Sequence, residues 1–511
     1  MGRRREAQTL SRRNRIHEEE KTFMNTAIVG NGIVALSIAF RMARRAAPND
    51  RITIIGPAAR PGSATLAAAA MLNSFAEIEA GSLESELDLY RFELSHLATR
   101  MWPKFEREII DAAASQLPAG CAKCEGCAGG GCFDSGTYVV NNTAADDLDD
   151  ENFEAIVAAL KEFDEPFDFV APRDIPNYLP EQRQRAPRAV HIPNEGWFNP
   201  RLMIEKLDAV LAHFPQVELV DATVARLLEA AGAITGVVLD DGRTVSADNY
   251  VLASGATATD LVTKSDIPLD IQRVYYGVGV SLEIASPDFP HTKCIRTPNR
   301  GLACGLYSVP YFTSADGPND HVLIGASNFM SPSPCFNGRL SSVESLTRGA
   351  IEQINANFYR AGLVRVNVGW RPTSQDTYPL LGKTSLGNLV LATGTKRDGF
   401  HLAPLISEYI VALLHGDATD PRLAVFAPER KPIRSLTRPA AIAKAVRHPM
   451  SAAYQHGFSP SKSRMPTQIE QMYRDELERL HDQVGASDWG IPPEMLDMYR
   501  YGHVKGSRRG A

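Results

Sequence analysis

The hydrophobic pattern near the N-terminus predicts a strand, a glycine turn, a helix and a second strand. Residues 26–29 form an apolar run that ends in Gly30-Asn31-Gly32, and residues 36–45 repeat their apolar positions with a helical period. Residues 51–55 form a second apolar strand. This order is typical of the βαβ unit of a dinucleotide-binding fold, with the glycine turn in its G-x-G-x-x-A form.

The residues of this glycine turn are predicted to contact the cofactor. Gly30 permits the tight turn, and Gly32 lets the backbone approach a pyrophosphate. Ala35 keeps the helix close to the strand. Ile33 and Val34 lie in the first helical turn, whose N-terminus faces the anion.

The unit departs from its usual form after the second strand. An acidic residue normally stands there and binds the ribose, but this chain has Gly56. We therefore expect the ribose to be bound by water or by a neighbouring side chain such as that of Arg60 or Ser63. This unit alone does not distinguish NAD, NADP and FAD.

Two later stretches predict further elements beside the cofactor. Residues 249–253 form a buried apolar strand that leads into a glycine. Gly394 and Gly399 bound a loop, and residues 404–414 then have the apolar spacing of a helix. The loop thus offers a second helix N-terminus to the cofactor.

Composition favours a globular protein of two or three domains. The 511 residues are 44% hydrophobic and 22% charged, which is ordinary for this class. The chain has 54 Lys and Arg and 60 Asp and Glu, which gives a net charge of −6. This nearly balanced charge argues against a protein that coats nucleic acid. The content of 38 Gly, 33 Pro and 7 Cys excludes collagen-like, coiled-coil and disulfide-scaffold classes.

We interpret residues 1–23 as a disordered polar leader. Ser11-Arg12-Arg13 is superficially similar to a twin-arginine export signal, but residues 17–21 are charged where that signal needs an apolar segment. No membrane span is predicted, because glycines interrupt the apolar stretch 26–40. We expect a cytoplasmic location.

Four segments, in order, resemble FAD-dependent amine and amino-acid oxidases of the D-amino-acid-oxidase superfamily. The closest pattern is that of the glycine oxidase branch, over about residues 24–431. The segments are Pro61-Gly62-Ser63-Ala64-Thr65 with Met71-Leu72, the hairpin and closing strand over 236–256, Trp370-Arg371-Pro372 with Asp376, Pro379 and Gly382, and Leu391-Ala392-Thr393-Gly394 with Arg397-Asp398-Gly399 and Leu402-Ala403-Pro404.

The resemblance implies an α/β fold in which a Rossmann-type FAD-binding domain is interleaved with an α+β, mixed-sheet substrate domain. The implied boundaries are 24–115, 197–265 and 372–431 for the FAD-binding domain, 116–196 and 266–371 for the substrate domain, and 432–511 for a helical extension. Beyond the glycine turn, the implied cofactor contacts are Ser63, Ala64, Thr65, Met71, Val224, Gly255, Gly394, Arg397, Asp398, Gly399 and Phe400.

The resemblance also implies a pocket in which two arginines and a tyrosine bind the substrate carboxylate. Arg371 matches the arginine of the "RP" motif, Arg397 matches the arginine of the later loop, and Tyr307 matches the tyrosine strand. A guanidinium pairs two N–H groups with the two carboxylate oxygens and keeps its proton. Packing roles are the alternative for each of the three residues.

The implied reaction transfers the α-hydride of a neutral amine to flavin N5 and gives an imine, which water hydrolyses to a carbonyl compound. The FAD should be noncovalent, because residues 373–379 contain no cysteine. Oxygen is the expected acceptor and would form hydrogen peroxide. The alternatives are a dehydrogenase of the same fold that passes electrons to a partner, a same-fold enzyme for a modified tRNA base, and a flavin-binding subunit of a larger complex.

Four cysteines lie close together in a glycine-rich insertion, Cys121, Cys124, Cys127 and Cys132. In a reducing compartment such clusters bind metal more often than they form disulfides. The spacing could suit zinc or, second, an iron–sulfur cluster, although it matches neither standard signature. The alternative is a surface loop of reduced thiols.

The C-terminal part leaves the family pattern after residue 431. Residues 434–464 are rich in Pro, Ser and basic residues and show no clear period. Thr467-Gln468-Ile469-Glu470 has the form of a capping box, which predicts a helix to about Val484. We expect this helix to dock on the body of the protein or on a second subunit of a homo-oligomer, within an otherwise solvated extension.

Overall fold

The computed structural model describes residues 23–112, 132–142, 144–289, 291–300, 305–311, 320–455, 458–460 and 463–504. The α-helices are α1 (Ile33–Arg45), α2 (Ala64–Ala67), α3 (Glu86–Ala112), α4 (Asp147–Glu162), α5 (Pro200–His213), α6 (Ala258–Ser265), α7 (Leu340–Gly349), α8 (Ala403–His415), α9 (Arg438–Gln455), α10 (Met465–Val484) and α11 (Leu496–Arg500).

The strands form three sheets. They are β1 (Asn25–Val29), β2 (Arg51–Ile55), β3 (Met71–Leu72), β4 (Phe133–Asn141), β5 (Asp168–Val170), β6 (Arg188–Phe198), β7 (Val217–Val220), β8 (Val224–Ala230), β9 (Ala233–Leu239), β10 (Thr244–Val245), β11 (Asn249–Leu252), β12 (Val274–Ala285), β13 (Cys294–Arg296), β14 (Tyr307–Pro310), β15 (His321–Gly325), β16 (Phe329–Ser331), β17 (Gly362–Ser374), β18 (Leu380–Lys383) and β19 (Leu389–Thr393).

The first sheet carries the predicted dinucleotide-binding unit. Its six strands run in the order β18-β19-β11-β1-β2-β7, and all neighbours are parallel except β18 and β19. Helices α1, α5 and α8 pack together on one face, because their apolar residues share a core with β1 and β2. The sequence predicted β1, α1, β2, β11 and α8 at these places, and the structure confirms them within a few residues.

A mixed ten-stranded sheet lies beside the first. Its main path is β16-β12-β15-β14-β13-β4-β6-β3, with β17 paired to β12 and β5 paired to β6. The long pair β12–β17 brings Arg371 opposite Gly277. A three-stranded antiparallel sheet, β10-β9-β8, completes the α/β architecture, and the predicted fold class is confirmed. The domain boundaries themselves stay a prediction.

The described C-terminal part contains three α-helices. The stretch 434–464, which shows no clear period in the sequence, contains α9 (Arg438–Gln455), whose buried face includes Ile442 and Val446. Helix α10 ends at Val484 as predicted, but it begins at Met465, and its N-cap residue Arg464 makes no side-chain cap. The residues after α10 pack against Tyr275 and Met330 of the large sheet. The extension is thus docked on the body.

Within the described ranges, the helices are all too short or too polar to cross a bilayer.

Candidate active site

A cavity of about 810 Å³ is lined by residues of both the six-stranded and the ten-stranded sheet. It runs from the β1–α1 turn, past the segment before α2, to the end of β17 and the loop between β19 and α8. Its volume falls in the range of sites that enclose a cofactor or a drug-sized ligand. Gly255 and Ala256 also line the cavity, so all four segments that carry the family resemblance meet around one space.

The β1–α1 turn forms one end of the cavity and suits a pyrophosphate. Gly30 has φ +121°, and a Cβ there would lie 2.4 Å from the carbonyl oxygen of Ala253. Helix α1 begins after Gly32 without a side-chain cap, and its first turn has no acidic residue. Thr65 accepts a hydrogen bond from the Ile33 N–H at 3.3 Å. The helix N-terminus thus offers backbone N–H groups to an anion.

The Asn31 side chain occupies the space beside Gly56, where an acidic residue would usually bind the ribose. A Cβ on Gly56 would lie 2.5 Å from the Asn31 side chain, which donates from Nδ2 to the Pro57 carbonyl at 2.9 Å. Of the two suggested substitutes, Arg60 is held by the Asn31 carbonyl and by both carboxylate oxygens of Asp208. Ser63 caps α2 through its hydroxyl group.

Strand β17 of the ten-stranded sheet packs directly on α2 and the segment before it. The backbone N–H of Trp370 donates to the Gly62 carbonyl at 2.9 Å, and a Cβ on Gly62 would lie 2.3 Å from the Trp370 ring. A Cβ on Gly369 would lie 2.7 Å from Ala67. Glycines at both positions allow this contact, which brings Arg371 to the cavity.

Arg371 lies in the cavity wall with part of its guanidinium held by the protein. Its Nη1 donates to the Ser327 carbonyl at 2.9 Å and to Asn328 Oδ1 at 3.2 Å. Gly279 leaves room for the group, since a Cβ there would lie 2.5 Å from Arg371 Cζ. A guanidinium has five N–H donors, so within the described part of the chain Nε and Nη2 remain for a ligand.

Tyr307 is brought to the same wall by β14. Its ring covers Gly325, where a Cβ would lie 2.2 Å from the phenol oxygen. Ser327, which holds Arg371, is two residues further along the chain. The side chain of Tyr307 is buried, and both Tyr307 and Arg371 line the cavity.

Arg397 differs from Arg371 because it already has a carboxylate partner. Its Nε lies 3.0 Å from Glu77 Oε2, and fully buried Arg296 lies 3.4 Å from the other oxygen of that carboxylate. Burial alone would raise the pKa of Glu77, but Arg397 and Arg296 outweigh this effect and lower the pKa. Glu77 is therefore an ionised group in the cavity wall, which no local sequence pattern indicated.

His401 is a further wall residue that the sequence did not indicate. Its Nε2 lies 2.7 Å from the Thr99 hydroxyl, and its Nδ1 lies 3.3 Å from the Ser95 hydroxyl. Burial lowers the pKa of His401 to about 4. The ring is therefore neutral at physiological pH.

Most of the proposed site residues line the cavity, and three do not. Ala35 is buried between α1 and the sheet, Gly394 lies against Leu380 with φ +72°, and Asp398 closes a turn and lies 3.6 Å from Arg91. The residues in the wall are Gly30, Gly32, Ile33, Val34, Ser63, Ala64, Thr65, Met71, Val224, Gly255, Tyr307, Arg371, Arg397, Gly399 and Phe400. The individual roles of all these residues stay predictions.

The proposed metal cluster has no support in the described part of the chain. Cys121, Cys124 and Cys127 lie outside the described residues, while Cys132 is buried and its backbone N–H donates to Glu106 at 2.5 Å. Among the residues that the structure describes, no group of three or more His, Cys, Asp or Glu could hold a metal ion.

A family model described as FAD dependent oxidoreductase, DAO, matches residues 25–413. The chain belongs to this family. Its members are FAD-dependent oxidoreductases, so this chain is an enzyme of that class. The cavity fits the cofactor, because the Gly30 turn and the open N-terminus of α1 form an anion cradle at one end.

Several curated relatives match parts of the chain. The bifunctional protein ThiO/ThiG of Nostoc sp. strain PCC 7120 is 29% identical over 225 residues, which are 44% of this chain and 31% of that protein. The tRNA 5-methylaminomethyl-2-thiouridine biosynthesis bifunctional protein MnmC of Idiomarina loihiensis is 28% identical over 258 residues, 48% of this chain and 39% of that protein. The chain thus spans less than half of the length of either relative.

Solved structures share the fold. Iminodiacetate oxidase from Chelativorans sp. BNC1 has a TM-score of 0.62 at 19% identity, over 79% of this chain and 98% of that one. Glycine oxidase from Geobacillus kaustophilus has a TM-score of 0.62 at 20% identity, over 80% and 99%. At this level of identity the likeness shows the fold alone.

Proposed function

We propose that this enzyme oxidises a carbon–nitrogen bond of an amino acid or an N-substituted glycine and passes the electrons to oxygen. The proposal rests on Arg371, whose guanidinium lies in the cavity wall. Among the residues that the structure describes, only its Nη1 is hydrogen-bonded, so Nε and Nη2 are left for a ligand. The planar fork of a guanidinium pairs two N–H groups with the two oxygens of a carboxylate, which suits an amino-acid substrate.

Bound FAD would supply the oxidising group, which takes a hydride from the carbon next to the substrate nitrogen. The chain's own contribution is to bind, orient and desolvate. Arg371 would pair with the substrate carboxylate, and the Tyr307 hydroxyl would donate to it. Buried Trp370 and Tyr307 exclude water from this end of the cavity, which strengthens each charged contact.

Arg397 would act together with Glu77 and Arg296. Because Glu77 already occupies one side of Arg397, a substrate carboxylate would share this guanidinium with Glu77. We therefore assign the larger share of carboxylate binding to Arg371. The pairing also keeps Arg397 in one orientation before substrate arrives, so less side-chain entropy is lost on binding.

The test is oxygen consumption and peroxide formation by the purified holoenzyme with matched pairs of amines. Sarcosine and dimethylamine share their amine and differ in the carboxylate, as do glycine and methylamine. We expect oxidation of one or more carboxylated members and none of their partners. Reduction of an artificial acceptor without oxygen uptake would replace oxidase by dehydrogenase, and equal oxidation within each pair would contradict the role of the carboxylate.

A further inference from the structure

The turn that carries Arg397 contains a strained residue. Lys396 has φ +52°, the left-handed region, which residues with a Cβ seldom occupy. Such a conformation persists where the surrounding structure holds it, and it is concentrated at functional sites. Lys396 and Arg397 both line the cavity, so the conformation of this turn sets where Arg397 points.

Backbone hydrogen bonds hold the turn from one side. The Lys396 N–H donates to the Pro372 carbonyl at 2.7 Å, and the Asp398 N–H donates to the Thr395 carbonyl at 2.9 Å. Thr395 also forms a β-bridge with Thr373. Pro372 directly follows Arg371, so the Lys396–Pro372 bond and the Thr395–Thr373 bridge join the two segments that carry the proposed carboxylate-binding arginines.

The C-terminal extension holds the turn from the other side. The Lys396 ammonium lies 2.6 Å from Glu494 Oε1, and the two side chains are only 15% and 12% exposed. Burial would raise the pKa of Glu494, but Lys396 and then Arg397 outweigh it and lower the pKa. The carboxylate is therefore charged where it meets Lys396.

Glu494 can act as an anchor because the extension is itself tied to the body. Tyr499 accepts a hydrogen bond from Gln375 at 3.0 Å, and Lys444 of α9 lies 2.6 Å from Glu79. The hydroxyl of Tyr275 donates to the His503 carbonyl at 2.9 Å. All of the extension lies beyond the residues matched by the family model, which end at 413.

We propose that Glu494 is a positioning residue of the active site. Through its ion pair with Lys396 it keeps the turn in the left-handed conformation and so directs Arg397 into the cavity. The C-terminal extension is then a working part of the substrate site. The consequence for substrate binding rests on the proposed role of Arg397, whereas the consequence for the turn does not.

Hydrogen exchange of the holoenzyme tests the turn without any substrate. Glu494→Gln keeps the size of the side chain and removes its charge. We expect the amides of Lys396 and Asp398 to exchange at least about tenfold faster, because local opening costs less free energy. Glu476→Gln is the matched control, since Glu476 lies in the same extension and pairs with Arg500 at 2.8 Å. Unchanged exchange at residues 395–399 in Glu494→Gln would overturn the proposal.

Kinetics on an oxidised amino acid test the link to Arg397. We expect Glu494→Gln to raise KM about tenfold with little change in kcat or flavin content. Glycine adopts the left-handed conformation without strain, so Lys396→Gly should need no anchor. In that background the Glu494→Gln change should alter KM less than about twofold. If Glu494→Gln still raises KM about tenfold in the Lys396→Gly background, Glu494 does not act through Lys396 and the proposal is overturned. If the wild type oxidises no amino acid, the proposed function fails while the exchange rates still decide the role of Glu494.

Discussion

Arg371→Ala removes the guanidinium that faces the cavity at the end of β17. Nη1 of this group is used by Ser327 and Asn328, so a carboxylate would be bound through Nε and Nη2. Two charge-assisted hydrogen bonds contribute about 1.5–3 kcal/mol each. Their loss corresponds to a fall of roughly 10²- to 10⁴-fold in kcat/KM before the cost of desolvation, which reduces the upper figure.

The assay is steady-state kinetics on a carboxylated substrate, with the ratio of flavin to protein measured in parallel. Flavin content should stay at the wild-type value, because the anion cradle is formed by the Gly30 turn and α1 and does not include Arg371. Arg371→Lys should fall between wild type and alanine, since lysine keeps the charge but not the fork. Arg365→Ala is the control, because Arg365 lies on the same strand with its side chain 52% exposed. We expect that control to change kcat/KM by less than about twofold.

A fall of less than about threefold for Arg371→Ala would refute the reasoning, because it is below the value of a single charge-assisted bond. Equal losses on sarcosine and dimethylamine would refute it as well, since only sarcosine has the carboxylate that Arg371 is expected to bind.

Three other changes have defined outcomes. Gly279→Ala places a methyl group 2.5 Å from Arg371 Cζ and should displace the guanidinium. We expect KM to rise about tenfold or more while the thermal unfolding midpoint changes little. An unchanged KM would contradict the position of Arg371 in the site. Gly30→Ala brings a Cβ within 2.4 Å of the Ala253 carbonyl at φ +121°, so the purified protein should have lost most of its flavin absorbance, and full flavin content would argue against the cradle. The pKa of His401 is 6.5 in the unfolded chain and about 4 in the folded chain. Between these values the unfolded chain binds a proton that the folded chain does not, so His401 lowers the free energy of unfolding as pH falls, by about 2 kcal/mol at pH 5. His401→Gln should remove that much of the difference in unfolding free energy between pH 7 and pH 5, measured with urea; an unaltered difference would show that the ring is protonated in the folded state.

Features encoded in short stretches of sequence could be predicted. The β1–α1–β2 unit and α8 have strong hydrophobic periods, and the turns before these two helices contain Gly30 and Gly394, whose positive φ values favour glycine. The motif segments could also be placed together, because their order matched a known family pattern. The packing of Trp370 on Gly62 is the physical contact that brings two of these segments together.

Helix boundaries in the extension were harder to predict. Helix α9 contains Pro439 and Pro449 and few large apolar residues, so its period is weak and its stability depends on packing against α10. The capping-box pattern at Thr467 lies inside α10, where no capping side chain is used. Tertiary contacts, which a local pattern does not contain, decided both cases.

The electrostatics of the site could not be predicted at all. The pairs Arg397–Glu77 and Lys396–Glu494 join residues that are far apart along the chain, and neither Glu77 nor Glu494 lies in a motif. An arginine in a matching motif therefore indicated a candidate ligand for the substrate, but not that a buried carboxylate already occupies one side of it. Only the folded arrangement shows that Arg397 is paired with a carboxylate, whereas Arg371 donates to the uncharged oxygens of Ser327 and Asn328.

We propose above that bound flavin oxidises an amine that carries a carboxylate. The most direct measurement is the visible spectrum of the purified protein, recorded anaerobically before and after addition of amino acids, N-methylated glycines and their decarboxylated counterparts. We predict oxidised-flavin bands that a carboxylated amine bleaches and its counterpart leaves unchanged. Equal bleaching by both, or a protein that binds no FAD even after reconstitution, would contradict the claim.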